Sequence, residues 1–278
     1  MRAAGVIFRL AIIILIFAVI WATYTKWQAG GFAANFPGFT GSVNSVTPSE
    51  IALGASQEKH QYWQIGVVAD SSAINSTGMQ TRIQTRLPSA VTAGTSEYFW
   101  IGSYLSDRSF IQIGYAIPWN QLRGEWFYCV FSSIGVKGPC VYGEPGSVGG
   151  TGKWNTFALT SAPIGNGRFL WTAELNGIRL GSFSMQTGST GPNTPGVYGE
   201  QSSYTAASAS DVFPEIEFFP AIQVISAGHS NRYSAPNHAT VYYSAANVCP
   251  PYGLAVVQPN NVYIGSHLSC AQPYQYVW

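Results

Sequence analysis

Short segments of strand length, separated by glycine, proline and asparagine, make up almost the whole chain after residue 60. No stretch after residue 30 repeats its apolar residues with the period of about 3.6 that marks an amphipathic helix. Many short strands with such punctuation are typical of a jelly roll, a sandwich of two antiparallel sheets. We therefore predict an all-β fold, with strands at Tyr62–Val68, Gln80–Leu87, Tyr98–Tyr104, Phe110–Ile117, Trp126–Ser132, Trp154–Thr160, Phe169–Leu175, Ile178–Met185, Ile216–Phe219, Ile222–Ser226, Ala239–Tyr243 and Leu254–Val257.

The length of the chain fits one such domain. It has 278 residues, and all-β sandwiches reach about 200–250 residues as single units. We expect a flexible spacer rich in glycine and serine at 30–60, the sandwich at 61–227, and a disulfide-stapled β extension at 228–278.

Glycine also marks the expected turns and loops. Asn176-Gly177 lies between two apolar runs and predicts a tight hairpin, because a type I′ turn needs positive φ at both central residues. Two glycine-rich segments, Gly143–Gly152 and Thr187–Gly199, are expected to be long flexible loops. Loops of that length on a β scaffold often surround a functional site.

The charge content excludes one large class of partners. Charged residues make up 9% of the chain, and its 13 basic and 12 acidic side chains nearly cancel. No basic stripe is present, so we expect no nucleic-acid partner. Few carboxylates are available whose protonation could unfold the protein, which favours stability in acid.

The amino terminus predicts export from the cytoplasm. Arg2 and Arg9 precede the uncharged apolar run Leu10–Ala22, and Lys26 follows it. The run is shorter than the roughly 20 residues of a spanning helix and is typical of a signal peptide, although a snorkelling arginine could lengthen it into an anchor. We expect residues 1–29 to form a hydrophobic helix, either signal peptide or membrane anchor, with the rest of the chain outside the cytoplasm.

The four cysteines fall in two local pairs without metal-ligand spacing, Cys129 with Cys140 and Cys249 with Cys270. Two disulfides formed in an oxidising compartment are the simplest interpretation, although four cysteines allow three pairings.

Several familiar chemistries lack their motifs. No HExxH occurs and the four histidines lie far apart, so we expect neither a metal nor another cofactor. No G-x-S-x-G elbow is present. Glu215 and Glu217 share a strand face, as glycosidase carboxylates do, but the following Phe218 and Phe219 favour an ordinary solvated face.

A set of short motifs in a fixed order is more informative. Trp100-Ile-Gly102 is followed by Gln112-Ile-Gly114, by Glu125-Trp126 and by Tyr198-Gly199-Glu200. In this order the chain resembles the eqolisin-type glutamic peptidases, which carry Trp-Val-Gly, Leu-Gln-x-Gly, Tyr-Glu-Trp and Ala-Glu-Trp on strands of a concanavalin-like sandwich. Gly199 and Gln201 stand where the family has Ala and Trp.

The resemblance implies hydrolysis of peptide bonds at acid pH by a Gln and Glu dyad. Glu200 would take a proton from the attacking water, and the Gln112 amide would stabilise the oxyanion. Trp100, Glu125 and Trp126 would line the substrate cleft. The resemblance implies no cofactor and a polypeptide substrate.

Two other functions fit the same sequence. Lectin-like sandwiches bind glycans, and the aromatic strands and long loops would serve a non-catalytic surface module equally well. The apolar terminus and low charge also suit a self-assembling subunit of a cell-surface or viral filament.

Overall fold

The computed structural model describes seventeen strands and the segments between several of them. The described residues are 61–69, 76–88, 95–105, 109–118, 121–131, 137–186, 194–203, 215–226, 233–234, 238–243, 253–258, 260–265, 268 and 275–277. They belong to one compact unit, Thr40–Trp278. The predicted terminal helix, the predicted spacer and the pair Cys249 and Cys270 lie outside the described residues.

One sheet has eight strands in the order β17-β14-β1-β10-β3-β4-β5-β6. All of its pairings are antiparallel. Its strands are β1 (Gln61–Ala69), β3 (Thr95–Tyr104), β4 (Phe110–Ile117), β5 (Glu125–Phe131), β6 (Lys137–Tyr142), β10 (Gly196–Ser203), β14 (His238–Tyr243) and β17 (Gln275–Val277).

The second sheet contains the remaining strands, in the order β15-β16-β11-β2-β7-β8-β9, with β12 beside β2 and β13 beside β12. Its pairings are antiparallel as well. These strands are β2 (Ser76–Gln84), β7 (Trp154–Gly165), β8 (Arg168–Leu175), β9 (Ile178–Gln186), β11 (Ile216–Phe218), β12 (Gln223–Ser226), β13 (Tyr233–Ser234), β15 (Gly253–Gln258) and β16 (Asn261–Gly265). The predicted sandwich of two antiparallel sheets is confirmed.

The main core is built from alternating residues of strands in both sheets. Ile65, Phe99 and Ile113 from the first sheet belong to the same buried cluster as Phe157 and Trp171 from the second. Side chains alternate between the faces of a strand, so one face of each sheet supplies this core. We call the opposite face of the eight-stranded sheet the outer face.

The outer face has a smaller apolar cluster of its own. It consists of Trp100, Ala116, Phe127, Cys129 and Tyr198, all nearly closed to solvent. Four adjacent strands, β10, β3, β4 and β5, are therefore buried on both faces. This explains why several of them have continuous apolar sequences rather than alternating apolar and polar residues.

The loop before β7 is ordered, which corrects the prediction of a flexible segment at Gly143–Gly152. Val148 is completely buried, and Asn155 Nδ2 donates hydrogen bonds to the Val148 carbonyl at 2.7 Å and to Thr85 Oγ1 at 2.8 Å. Glycines with positive φ, Gly146 among them, allow the tight path. A buried valine and a buried amide therefore fix this loop to the sandwich.

Three further sequence predictions have outcomes in the described residues. The hairpin at Asn176-Gly177 is confirmed, with positive φ at both residues. Cys129 and Cys140 form the predicted disulfide. The predicted loop Thr187–Gly199 was wrong at its end, because β10 begins at Gly196.

The extension after residue 227 continues both sheets. Strand β14 pairs with β1, and β16 pairs with β11. No helix among the described residues is long and apolar enough to cross a membrane.

Candidate active site

Three rows of side chains that run across the strands of the outer face contain Trp100, Gln112, Glu125 and Glu200. Directly paired residues of neighbouring antiparallel strands share a face, so the register defines each row. The first row is Gln64, Glu200, Tyr98, Ala116 and Glu125. The second is Gly66, Tyr198, Trp100, Gly114, Phe127 and Tyr142. The third is Val68, Gly196, Gly102, Gln112, Cys129 and Cys140.

The four strands that carry the motifs are neighbours in this sheet, although the sequence predicted only three of them, β3, β4 and β5, as strands. Strands β10, β3, β4 and β5 follow one another without interruption. The motifs therefore lie side by side in the sheet. One face of the sheet carries Trp100, Gln112, Glu125 and Glu200.

The Glu200 side chain is buried on the outer face. It is 3% exposed, and Trp100 Nε1 donates a hydrogen bond to Glu200 Oε2 at 3.2 Å. The indole stacks on Tyr198, with ring centroids 4.1 Å apart. This packing fixes the indole, and the indole in turn fixes the carboxylate.

Glycines in the second row give the aromatic rings their space. A Cβ on Gly114 would lie 2.6 Å from the Trp100 Cα, and a Cβ on Gly66 would collide with the Tyr198 ring. Trp100 and Tyr198 therefore occupy volume that side chains at these two positions would otherwise fill.

Gln112 shares the face of Glu200 but not its row. It pairs with Gly102, whereas Glu200 pairs with Tyr98, so two strand spacings and four residues along β3 (102 minus 98) separate them. On a flat sheet these spacings correspond to about 17 Å between the two Cα atoms. Extended side chains of this length reach about 5 Å each. The register thus does not bring the predicted dyad to one water.

Glu125 marks the accessible end of the first row. It is half-buried, and burial together with the nearby Glu144 carboxylate raises the pKa of Glu125 to about 7. Tyr142, 38% exposed, lies at the same end. The ordered loop that begins after Tyr142 brings Glu144 to this place.

Trp126 does not join these residues. Its neighbour Glu125 points to the outer face, so Trp126 points to the inner one. There its ring stacks on Tyr128 at 6.2 Å and packs against the main core. The structure therefore places Trp126 away from the face that Trp100 and Glu125 share.

Two tyrosines that the sequence did not single out join the site. Burial first, then Tyr142 and the carboxylates of Glu200 and Glu125, raise the pKa of Tyr98. Burial followed by the same two carboxylates raises the pKa of Tyr142 to about 12. Glu200 on β10 therefore contributes to the electrostatic environment of Tyr142 on β6. Tyr98 lies in a predicted strand, and Tyr142 lies beside a predicted long loop. No local motif distinguishes either tyrosine.

The glutamates at 215 and 217 lie elsewhere. Glu217 belongs to β11 of the second sheet and accepts a hydrogen bond from Asn261 Nδ2 at 3.3 Å. In the part of the chain that the structure describes, no three histidine, cysteine or acidic side chains are grouped as metal ligands.

The solved structures to which the chain is similar include glutamic peptidases. Scytalido-glutamic peptidase bound to a transition state analog inhibitor has a TM-score of 0.48 at 15% identity, over 75% of this chain and 99% of that one. SCP-B, a member of the eqolisin family in complex with a tripeptide, has a TM-score of 0.46 at 13% identity, over 74% and 99%.

Carbohydrate-active sandwiches are similar as well. A glycoside hydrolase family 16 endo-glucanase from Bacteroides ovatus has a TM-score of 0.31 at 9% identity, over 51% of this chain and 67% of that one. No protein-family model and no curated protein sequence matches the chain.

Proposed function

We propose that the outer face is a substrate cleft and that the protein hydrolyses polypeptides at acid pH, with Glu200 as the general base. The observation that carries this proposal is the hydrogen bond from Trp100 Nε1 to the buried Glu200 carboxylate. The collinear motifs on four neighbouring strands support it. An exported protein is consistent with the disulfide between Cys129 and Cys140, because such bonds form outside the cytoplasm.

The chemistry requires an ionised carboxylate beside a water molecule. Glu200 removes a proton from the water, whose oxygen attacks the carbonyl carbon of the scissile amide. The hydrogen bond from Trp100 Nε1 favours the ionised form of the Glu200 carboxyl. Because Glu200 is 3% exposed here, the cleft must open for substrate to reach it, and the Glu125 and Tyr142 end is the accessible one.

Cleavage of acid-denatured serum albumin tests the proposal. The wild type, Glu200→Gln and Glu174→Gln are compared over the acid range, with folding checked by circular dichroism. Glu174 is the matched control, since it lies on the second sheet with its side chain opposite the core-facing Ala173 and Leu175. We expect the wild type and the Glu174 variant to cleave equally and the Glu200 variant to be inactive. Undiminished cleavage by Glu200→Gln would refute the role of Glu200.

Glycan binding without catalysis is the second candidate. The exposed Tyr142 beside Glu125 favours it, because an aromatic ring with adjacent carboxylates is suited to sugar recognition. Binding of soluble β-glucan by the wild type and not by Tyr142→Ala, with no cleavage of albumin, would support this candidate over the peptidase.

A further inference from the structure

We propose that Gln64 on β1, rather than Gln112, is the amide side chain that acts together with Glu200. This inference rests on the proposed function, and it changes which residue completes the site. Gln64 belongs to no motif in the sequence, and only the pairing of β1 with β10 reveals it.

The register places Gln64 directly beside Glu200. The two residues are paired across β1 and β10, and directly opposed residues on one face have Cβ atoms about 4.5–5.5 Å apart. An amide and a carboxylate at that separation can contact a common carbonyl group or water. Gln112 lies two strands from Glu200 and four residues further along β3 in register, so its amide is farther from the Glu200 carboxylate.

Neighbouring strands and side chains hold the pair in position. Gln64 is 5% exposed, and β1 is hydrogen-bonded on both sides, to β10 and to β14. The Tyr198 ring lies over Gly66, the next residue of β1 on this face. Trp100 holds Glu200 from the side of β3.

The chemical step balances with these two residues and one water. The water oxygen bonds to the carbonyl carbon while its proton moves to Glu200, and the Gln64 N–H donates to the oxyanion that forms. The C–N bond then breaks, its electron pair stays on nitrogen, and the proton on Glu200 passes to that nitrogen. The products are a carboxylic acid and an amine, and both side chains return to their initial states.

Paired substitutions of the two glutamines test the assignment. In the albumin assay, Gln64→Ala should lower kcat about 10²–10³-fold with little change in KM, the effect of removing one oxyanion donor. Gln112→Ala should lower it much less. Circular dichroism and thermal unfolding of both variants show whether each one folds.

A charge substitution gives a second measurement that a purely structural role would not produce. Gln64→Glu places a like charge beside Glu200 and should move the pKa of the Glu200 carboxyl upward by roughly one unit, measured by NMR titration. Gln112→Glu should move it much less. This readout does not require enzymatic activity.

The outcomes separate the two proposals. If Glu200→Gln is inactive while Gln64→Ala keeps the wild-type kcat, the role of Gln64 is overturned and the peptidase proposal stands. A larger loss in Gln112→Ala than in Gln64→Ala overturns it too, in favour of Gln112. If the wild type leaves albumin intact, the peptidase proposal and the catalytic role of Gln64 fall together. Equal shifts of the Glu200 pKa in Gln64→Glu and Gln112→Glu would contradict the claim that Gln64 is the nearer of the two residues to Glu200.

Discussion

Glu200 and Trp100 show how a single hydrogen bond organises the outer face. The carboxylate is nearly closed to solvent, and a buried charge is costly unless hydrogen bonds stabilise it. Trp100 supplies one such bond at 3.2 Å, while its ring lies against Gly102 of the same strand and its Cα and Cβ lie against Gly114 of β4. One side chain thus has an electrostatic and a packing role.

The two roles of Trp100 can be separated with a matched tryptophan. Trp171 is fully buried in the main core, and its Nε1 has no hydrogen-bond partner among the described residues. Trp100→Phe should lower the free energy of unfolding by about 1–3 kcal/mol more than Trp171→Phe, because only Trp100 loses a hydrogen bond to a charged group. Urea unfolding of both variants measures the difference, and equal losses would show that the bond to Glu200 contributes nothing.

The strands of the outer face depend on close approach of their backbones. Strands β3 and β4 meet where Gly114 pairs with Trp100, and no side chain fits there. This is an element-scale constraint, because a methyl group at 114 would have to push β3 and β4 apart rather than move one flexible side chain.

Substitution of two glycines tests that constraint. Gly114→Ala should lower the free energy of unfolding by about 1–3 kcal/mol, because its Cβ would lie 2.6 Å from the Trp100 Cα. Gly150→Ala, in the loop before β7, meets no atom within 4 Å and should change stability by less than about 0.5 kcal/mol. Thermal unfolding measures both, and a stable Gly114→Ala protein would show that β3 and β4 adjust more freely than their packing implies.

Local sequence pattern predicted most strands but not all. Phe110–Ile117 was predicted with the limits that it has in the structure, because apolar residues occupy most of its positions. Strand β6 contains Gly138 and Pro139, and β10 contains Gly196 and Gly199, so composition hid both. Both strands are held by hydrogen bonds to neighbouring strands. Strand β6 pairs with β5, and β10 pairs with β1 and β3. Tertiary contacts outweigh local propensity there.

The same limit applies to the site. Motif order singled out Trp100, Glu125 and Glu200, and the register places these three residues on one face. The pairing of Gln64 with Glu200 could not, because it depends on the register of strands more than a hundred residues apart. The orientation of Trp126 follows from alternation once Glu125 is placed, and sequence alone did not place it.

At the scale of the whole molecule, Glu97 links stability to pH. It is 4% exposed on the inner face, paired with Gln201, and burial raises the pKa of Glu97 from 4.5 to about 8. The folded pKa lies above the unfolded one, so the stabilising effect of the protonated form is complete below about pH 4.5. It is lost as the pH rises through about 8. The protein should thus be most stable in acid, as its composition also predicts.

Thermal unfolding across this range tests the role of Glu97. The melting temperature of the wild type should fall between pH 4.5 and 8, and Glu97→Gln should fall less, since an amide cannot ionise. Glu125, whose pKa is about 7, adds a smaller slope that Glu125→Gln removes. A Glu97→Gln protein with an unchanged pH dependence would assign the slope to other groups.

The central claim is that a carboxylate in the outer face performs hydrolysis. The most direct measurement is the ratio of kcat/KM for wild type and Glu200→Gln on acid-denatured albumin at about pH 4, where an ordinary carboxylate is half ionised. We predict a ratio of at least about 10², as expected when a general base is removed. A ratio near one, with both proteins folded, would contradict the claim and leave the outer face as a binding surface.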